Sequence, residues 1–145
     1  MRPSRAKLKD RIYGGLRRLM ADRALRRGNP DRAVALFGKL ERELGLSAVD
    51  EAQYATALLG AGDHRGAQRR FATLQKQARA SPDLRYVEKY CRYYLALMRN
   101  ERSQADYEWR LAQAAPKSRQ TLKRLPMPKI VEKPSLGVVA TFSLR

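Results

Sequence analysis

The amino-acid sequence predicts an all-α fold in which pairs of helices repeat along the chain. Three observations lead to this prediction. Apolar residues recur at helical spacing over most of residues 1–116. Glycine, asparagine and proline mark helix ends at short intervals. Before residue 130, no segment alternates apolar and polar residues in the way that a half-buried strand does.

The first predicted helix covers residues 6–27. Its apolar positions follow the spacing of one helical face and are Ile12, Leu16, Leu19 and Met20. The pair Gly14-Gly15 interrupts this face. We expect the pair to kink or split the helix, because glycine inside a helix costs about 1 kcal/mol relative to alanine. Gly28 ends the helix.

Five more helices follow, each with a recognisable start. Asn29 is the predicted N-cap of the second helix, Pro30 fits its first helical position, and the helix runs to about Leu44. The other starts, in chain order, are Ser47, Asp63, Ser81, and either Asn100 or Ser103. The sixth helix ends before Pro116. The connections are short, so consecutive helices are expected to pack as antiparallel pairs.

Four positions recur along these helix pairs at a fixed offset. The set Gly28, Ala33, Phe37 and Leu40 returns 34 residues later as Gly62, Ala67, Phe71 and Leu74, and a third copy is Asn100, Ala105, Trp109 and Ala112. A small alanine lets two helices approach closely, and the aromatic ring one turn later fills the space towards the next pair. Glycine or asparagine lets the chain reverse tightly. The alternative is a helical bundle without true repeats.

With these positions the chain resembles the tetratricopeptide repeat family over roughly residues 17–116. The stretches GNPDRAVALFGKL, GDHRGAQRRFATL and NERSQADYEWRLA match the turn and second helix of that family. The first helices depart from the pattern: the small position holds Ala21, Ala55 and then Tyr93, and the early aromatic position holds Arg17, Glu51 and Lys89. The resemblance implies three hairpins of six helices.

The resemblance also implies a concave groove, lined by the first helices of the hairpins, in which an extended peptide or a helix lies. Carried over by position, the groove residues are Arg18, Asp22, Arg26, Ala52, Thr56, Leu59, Tyr90, Tyr94 and Leu97. One end is basic and the other aromatic, which suits a partner protein segment with an acidic end and an apolar anchor. Paired Lys and Asn residues of the family's carboxylate clamp are not present. The alternative is that the tyrosine-rich stripe belongs to the core.

Positive charge dominates the chain. Lys and Arg total 31 against 14 acidic residues, and the formal net charge is +17. A basic patch near the start consists of Arg2, Arg5, Lys7, Lys9, Arg11, Arg17 and Arg18. This patch is compatible with contact to a nucleic-acid backbone, for instance ribosomal RNA, and with docking on an anionic membrane surface. It is also compatible with helix faces that are simply basic and solvated.

The sequence offers little for catalysis. His64 is the single histidine and is expected in a solvated turn, and Cys91 is the single cysteine. One histidine and one cysteine cannot form a histidine/thiolate metal site, and the stretch Gly60–Gly66 lacks the spacing of a phosphate-binding loop. We therefore expect no enzyme activity, cofactor or small-molecule substrate. The lone cysteine and the absence of a secretory signal or apolar span predict a cytoplasmic protein.

From Pro116 onward the composition changes. Lysine and arginine are interspersed with proline, which favours an extended linker, and Leu125-Pro-Met-Pro128 resembles a polyproline ligand. The apolar stretch 136–144 could form a strand that folds back on the domain or pairs with another chain's sheet edge. The predicted organisation is a basic helical extension (1–16), a helical repeat domain (17–116) and a basic tail (117–145).

Taken together, these patterns predict a non-catalytic adaptor or scaffold that holds partner proteins in a complex through its groove and charged ends. The alternative is a nucleic-acid-associated or ribosome-associated protein that binds through its basic ends.

Overall fold

The computed structural model describes residues 5–128, apart from the side chain of Ala6. Arg2 of the predicted basic patch and the predicted terminal strand at 136–144 lie outside the described residues. Within residues 5–128 the chain forms helices and no strand, so the prediction of an all-helical fold is confirmed there.

Seven α-helices account for most of residues 5–128. They are α1 (Arg5–Arg26), α2 (Pro30–Glu43), α3 (Ala48–Gly60), α4 (His64–Arg79), α5 (Arg85–Met98), α6 (Arg102–Ala114) and α7 (Arg119–Arg124). A short 3₁₀ helix, Pro82–Leu84, precedes α5. Consecutive helices pack against each other from α1 through α6. The pairs α1–α2, α3–α4 and α5–α6 form three successive hairpins.

The three hairpin turns share one backbone conformation. Gly28, Gly62 and Asn100 have φ values of 75°, 92° and 58°. The N–H of the following residue donates to the carbonyl five positions earlier at 2.9 Å in every case: Asn29 to Ala24, Asp63 to Leu58 and Glu101 to Ala96. This 6→1 bond, with positive φ at the residue before its donor, is the Schellman motif. The turn positions that recur in the sequence therefore adopt the same local structure.

The recurring alanines and aromatic residues also have equivalent surroundings. Ala33, Ala67 and Ala105 are fully buried, and Phe37 and Phe71 are 0% exposed. The Phe37 ring stacks on Tyr54 of α3 with centroids 5.8 Å apart, and the Phe71 ring stacks on Tyr94 of α5 at 5.4 Å. Trp109 occupies the same position in the third hairpin, and its Nε1 donates to the Met127 carbonyl at 3.0 Å. Each ring thus faces the element that follows its hairpin.

The remaining repeat-packing positions are also internal. Leu40, Leu74 and Ala112 are 0%, 2% and 0% exposed, respectively. The first helices of the hairpins meet one another, because α1 contacts α3 and α3 contacts α5. These three helices form one layer, and α7 packs against it at α3.

The first helix differs from the sequence-based expectation. The α1 helix continues through Gly14-Gly15 without interruption, so the pair does not split the helix. A Cβ built on Gly14 would lie 3.0 Å from Leu44 Cδ1, which shows that the glycine lets α1 pass close to the end of α2. The boundary placed between residues 16 and 17 lies inside this helix.

The sixth helix begins without either of the caps considered for it. Asn100 is the positive-φ turn residue and Ser103 lies inside α6, while Glu101 occupies the N-cap position without a side-chain cap bond. The fifth helix begins at Arg85, after the 3₁₀ helix that starts next to Ser81.

Residues 117–128 differ most from expectation. Ser118 caps α7 by accepting from the Thr121 N–H at 3.0 Å, so the expectation of an extended linker is wrong for residues 119–124. The Lys117 Nζ donates to the carbonyls of Ala112, Gln113 and Ala115 and closes the C-terminal end of α6. The chain therefore turns back onto the helical domain immediately after α6.

Candidate functional site

A cavity of about 760 Å³ lies between the layer of α1, α3 and α5 and the returning residues 123–128. Among its walls are five of the residues assigned to a groove from the sequence: Asp22, Arg26, Thr56, Tyr90 and Tyr94. Cavities of this volume lie in the range that holds small ligands or peptide side chains.

Four other residues assigned to the groove are placed differently. Ala52, Leu59 and Leu97 are 0%, 4% and 2% exposed and belong to the core. The Arg18 Nε donates to the Asp50 carboxylate at 2.8 Å and so points between helices. Of the nine residues assigned to the groove by position, five therefore line the cavity and these four do not.

Two tyrosines form the aromatic wall of the cavity. The Tyr90 and Tyr94 ring centroids are 4.8 Å apart, and the Tyr90 hydroxyl lies 2.7 Å from Thr56 Oγ1. Burial raises the pKa of Tyr94 to about 12, and burial likewise raises the pKa of Tyr90 well above its ordinary value. Both hydroxyls are therefore neutral near pH 7, and they suit hydrogen bonding and apolar contact. The tyrosine stripe belongs both to the core and to the groove.

Arg124, the last residue of α7, joins three elements at the edge of the cavity. Its Nε donates to Asp22 Oδ2 of α1 at 3.0 Å, and its Nη2 donates to Asp50 Oδ1 at 2.6 Å and to Gln53 Oε1 at 2.7 Å in α3. Gln53 Nε2 in turn donates to the Arg124 carbonyl at 2.7 Å. We call Arg124, Asp22, Asp50 and Gln53 the Arg124 cluster.

The ionisation of this cluster follows from its hydrogen bonds. Burial by itself raises the pKa of Asp50, which is fully buried, but hydrogen bonds from Arg18, Arg124 and the Ser47 N–H outweigh burial and hold the pKa below its ordinary value. Burial lowers the pKa of Arg124, and the hydrogen bonds to Asp22 and Asp50 raise it above its ordinary value. Both groups are charged, and each stabilises the other.

The segment after α7 is held by its backbone. The Tyr86 hydroxyl donates to the Leu125 carbonyl at 2.5 Å, and the Tyr93 hydroxyl donates to the Pro128 carbonyl at 2.6 Å. The Trp109 indole donates to the Met127 carbonyl at 3.0 Å. The stretch Leu125-Pro-Met-Pro128, noted from sequence as a possible polyproline ligand, thus lies against aromatic donors of α5 and α6 within its own chain. Leu125 and Met127 are 0% and 7% exposed.

The predicted basic patch divides into two parts. Arg5, Lys7, Lys9 and Arg11 are exposed on the first two turns of α1. Arg17 and Arg18 are partly buried and form ion pairs with Glu43 of α2 and Asp50 of α3. These two arginines therefore fix α1 to its neighbours, and the exposed part of the patch lies towards the start of the helix.

His64 and Cys91, the residues considered from sequence for catalysis or metal binding, do not form a reactive site. His64 is exposed at the first turn of α4, and burial raises the pKa of the Cys91 thiol well above its ordinary value. Among residues 5–128, no group of three or more His, Cys, Asp or Glu side chains is arranged to hold a metal ion. No α-helix in that range is both long enough and apolar enough to cross a bilayer.

Sequence reasoning missed the residues that close the site. Asp50, Gln53, Tyr86 and Arg124 were not assigned to it, because their roles depend on the return of residues 117–128. Two signals were present: Ser118 precedes six residues that tolerate a helix, and Leu125 and Met127 alternate with prolines as anchors of a docked segment do.

The chain was also compared with known proteins. No protein-family model, no curated protein and no solved structure matches it. The class of protein is therefore defined by the fold and the site themselves: an all-helical chain of successive hairpins with a concave cavity on one layer.

Proposed function

We propose that this chain is a non-catalytic adaptor of the tetratricopeptide-like type, and that its groove binds an extended segment of a partner protein. One observation carries the proposal. A non-helical segment of the chain itself, residues 125–128, forms part of the cavity wall and is held by side-chain donors of α5 and α6 that bind its main-chain carbonyls. Extended, proline-containing segments commonly dock in grooves lined by aromatic side chains. The three equivalent turns support the repeat assignment.

The walls of the cavity indicate the chemistry of the partner segment. The rings of Tyr90 and Tyr94 line the cavity, although they are only 2% and 4% exposed, and Arg26 and Lys123 are exposed cations beside them. Asp22, the acidic wall residue, accepts from Arg124. A segment with an apolar side chain and a nearby carboxylate therefore fits the cavity best. The apolar side chain would be buried against the tyrosines, and the carboxylate would pair with Arg26 or Lys123.

The test places a bulky cation in the cavity. Thr56→Arg is expected to lower capture of partner proteins from native lysate at least tenfold, because the new side chain fills the space beside Tyr90. The matched control is Thr73→Arg, the same change at an exposed position of α4. Equal loss of captured proteins in both variants, or no loss in either, would contradict the groove proposal.

A second candidate function rests on the exposed part of the basic patch. Arg5, Lys9 and Arg11 stand in solvent on α1, where they could neutralise the phosphates of a nucleic acid. The same capture experiment separates the two functions. Under nucleic-acid binding, nuclease treatment abolishes capture, affinity falls log-linearly with salt, and Thr56→Arg has no effect. Under groove binding, capture survives nuclease and depends on Thr56.

The proposal includes no cofactor and no catalytic step. The hydroxyls in the groove are protonated near pH 7, since burial raises the pKa of Tyr90 and Tyr94.

We also propose a cytoplasmic location, which suits a buried cysteine thiol with no disulfide partner in a chain that has one cysteine.

A further inference from the structure

The solvent-facing side of α1 carries an unusual concentration of large apolar residues. Among residues 5–128, nine large hydrophobic side chains are at least 39% exposed, and six of them lie on this one helix. The four that form a row, here called the α1 stripe, are Leu8, Ile12, Leu16 and Leu19, with exposed fractions of 49%, 58%, 52% and 53%. Contiguous exposed apolar surface of this kind marks an interaction site.

Helix geometry places the α1 stripe on a single face. Its members are spaced four, four and three residues apart, so they lie within roughly 80° around the helix axis. The row extends over about 16 Å along that axis. Tyr13 and Met20, which are 52% and 39% exposed, widen it on one side. An apolar strip of this length and width can lie flat on a surface.

Cations lie at both ends of the α1 stripe. Exposed Arg5 and Lys9 are at its start, and exposed Arg23, Arg26 and Arg27 are at its end. Of the two acidic residues of α1, Asp10 is on the opposite half of the helix, and Asp22, which lies beside the stripe, is largely buried and paired with Arg124. The face therefore combines exposed apolar side chains with cations at both ends.

We propose that the α1 stripe and its flanking cations dock this protein on a membrane surface that contains anionic lipids. The apolar side chains enter the boundary between headgroups and acyl chains, and the long Arg and Lys side chains reach the lipid phosphates. A second copy of the chain would bring like charges together at both ends of the strip. A nucleic acid would engage the cations and leave the apolar row in water. An anionic lipid surface satisfies both sets of groups.

The test uses the full chain and vesicles of two compositions. Sedimentation with phosphatidylcholine vesicles that contain phosphatidylserine is expected to remove the protein from solution, and vesicles of phosphatidylcholine alone are expected to bind it at least tenfold more weakly. Each cation near an anionic surface contributes about fivefold to binding. Equal binding to both vesicle types would overturn the proposal.

Paired variants separate the apolar and the charged contributions. Ile12→Gln with Leu16→Gln is expected to lower binding to the anionic vesicles about tenfold or more, whereas Tyr107→Gln with Leu122→Gln, two exposed apolar residues elsewhere, leaves it unchanged. Arg5→Gln with Lys9→Gln is expected to lower it roughly 25-fold, and Lys76→Gln with Arg79→Gln, exposed cations of α4, much less. Circular dichroism checks that each variant keeps its helices.

Three further results would overturn the inference. The first is unchanged binding in the Ile12/Leu16 variant, since binding would then be purely electrostatic. The second is equal loss in the Tyr107/Leu122 control. The third is a protein dimer, detected by light scattering without vesicles, that the Ile12/Leu16 variant abolishes, because the α1 stripe would then be an interface between copies. Leu19 and Arg26 also line the cavity, so the stripe adjoins the groove, whereas Ile12 and Leu16, the two apolar residues changed here, do not line it.

Discussion

At the scale of single residues, Arg124 joins α7 to two helices that lie far away in the sequence. It donates to Asp22, Asp50 and Gln53, which lie 102, 74 and 71 residues earlier. Its side chain is 25% exposed, and that of Asp50 is fully buried. A guanidinium can serve all three acceptors at once because its donors are fixed in a planar fork.

We expect Arg124→Ala to lower the free energy of unfolding by about 2–3 kcal/mol, because the carboxylates of Asp22 and Asp50 and the amide of Gln53 lose a donor. Urea unfolding monitored by circular dichroism measures the loss. The control is Arg110→Ala. Its ion pair with Asp106 is on the surface of α6, where the Arg110 side chain is 74% exposed, and the expected change is about 0.5 kcal/mol or less. The loss of unfolding free energy for Arg124→Lys should lie between the losses for Arg124→Ala and Arg110→Ala. Equal effects at the two sites would contradict the role given to the Arg124 cluster.

Asp50 gives the same cluster a pH dependence. Its pKa in the folded protein lies below the ordinary value, so the ionised form stabilises folding. This contribution is complete above about pH 4 and is lost as pH falls through the folded-state pKa. We expect wild-type stability to decline below about pH 4, and Asp50→Asn to start lower at pH 7 and decline less steeply. Thermal unfolding at a series of pH values measures both slopes. Parallel slopes would show that Asp50 does not carry the effect.

At the scale of elements, residues 125–128 lie against α5 and α6, the last hairpin of the described chain. Trp109 corresponds to Phe37 and Phe71 in the repeat, and each of those rings stacks on the first helix of the next hairpin. Trp109 instead donates to the Met127 carbonyl. The returning segment therefore covers the last hairpin, as terminal caps do in helical repeat arrays.

We expect Tyr93→Phe to release this segment locally. The change removes the donor to the Pro128 carbonyl and leaves the ring in place, at an expected cost of about 1–2 kcal/mol. Limited digestion with trypsin, followed by mass spectrometry, should show faster cleavage after Arg124. Tyr107→Phe, at an exposed tyrosine of α6, should leave that rate unchanged. Cleavage no faster than in the wild type would mean that the hydroxyl does not hold the segment.

The helices themselves were largely predictable from local signals. Caps such as Asn29 and Asp63 act within four residues, and glycine or asparagine at the turns adopts the positive φ that the sequence indicated. The missed elements depend on distant partners. Residues 119–124 have the composition of a linker, and they form a helix because Arg124 finds two carboxylates on other helices. The pair Gly14-Gly15 was expected to kink or split α1, but the helix continues through the pair, and Gly14 lies close to the Leu44 side chain.

At the scale of the whole molecule, the spacing of the recurring positions predicted the three hairpins but not the return of residues 123–128, which close the groove. Four recurring positions at offsets of 34 and 38 residues correspond to equivalent turns and buried rings. The tyrosines of α5 could not be divided from sequence into core and groove residues, because Tyr86 and Tyr93 face the returning segment while Tyr90 and Tyr94 face the cavity. That division follows from tertiary packing alone.

The contact between Arg124 and Asp22 has a consequence for how the protein is made. Synthesis proceeds from the N-terminus, so the first two hairpins can assemble while Asp50 still lacks one of its two arginines. Only after residue 124 has left the ribosome can the final ion pairs form and join both ends of the described chain. A nascent chain from which residue 124 has not yet emerged therefore lacks the wall of the groove that residues 123–128 supply.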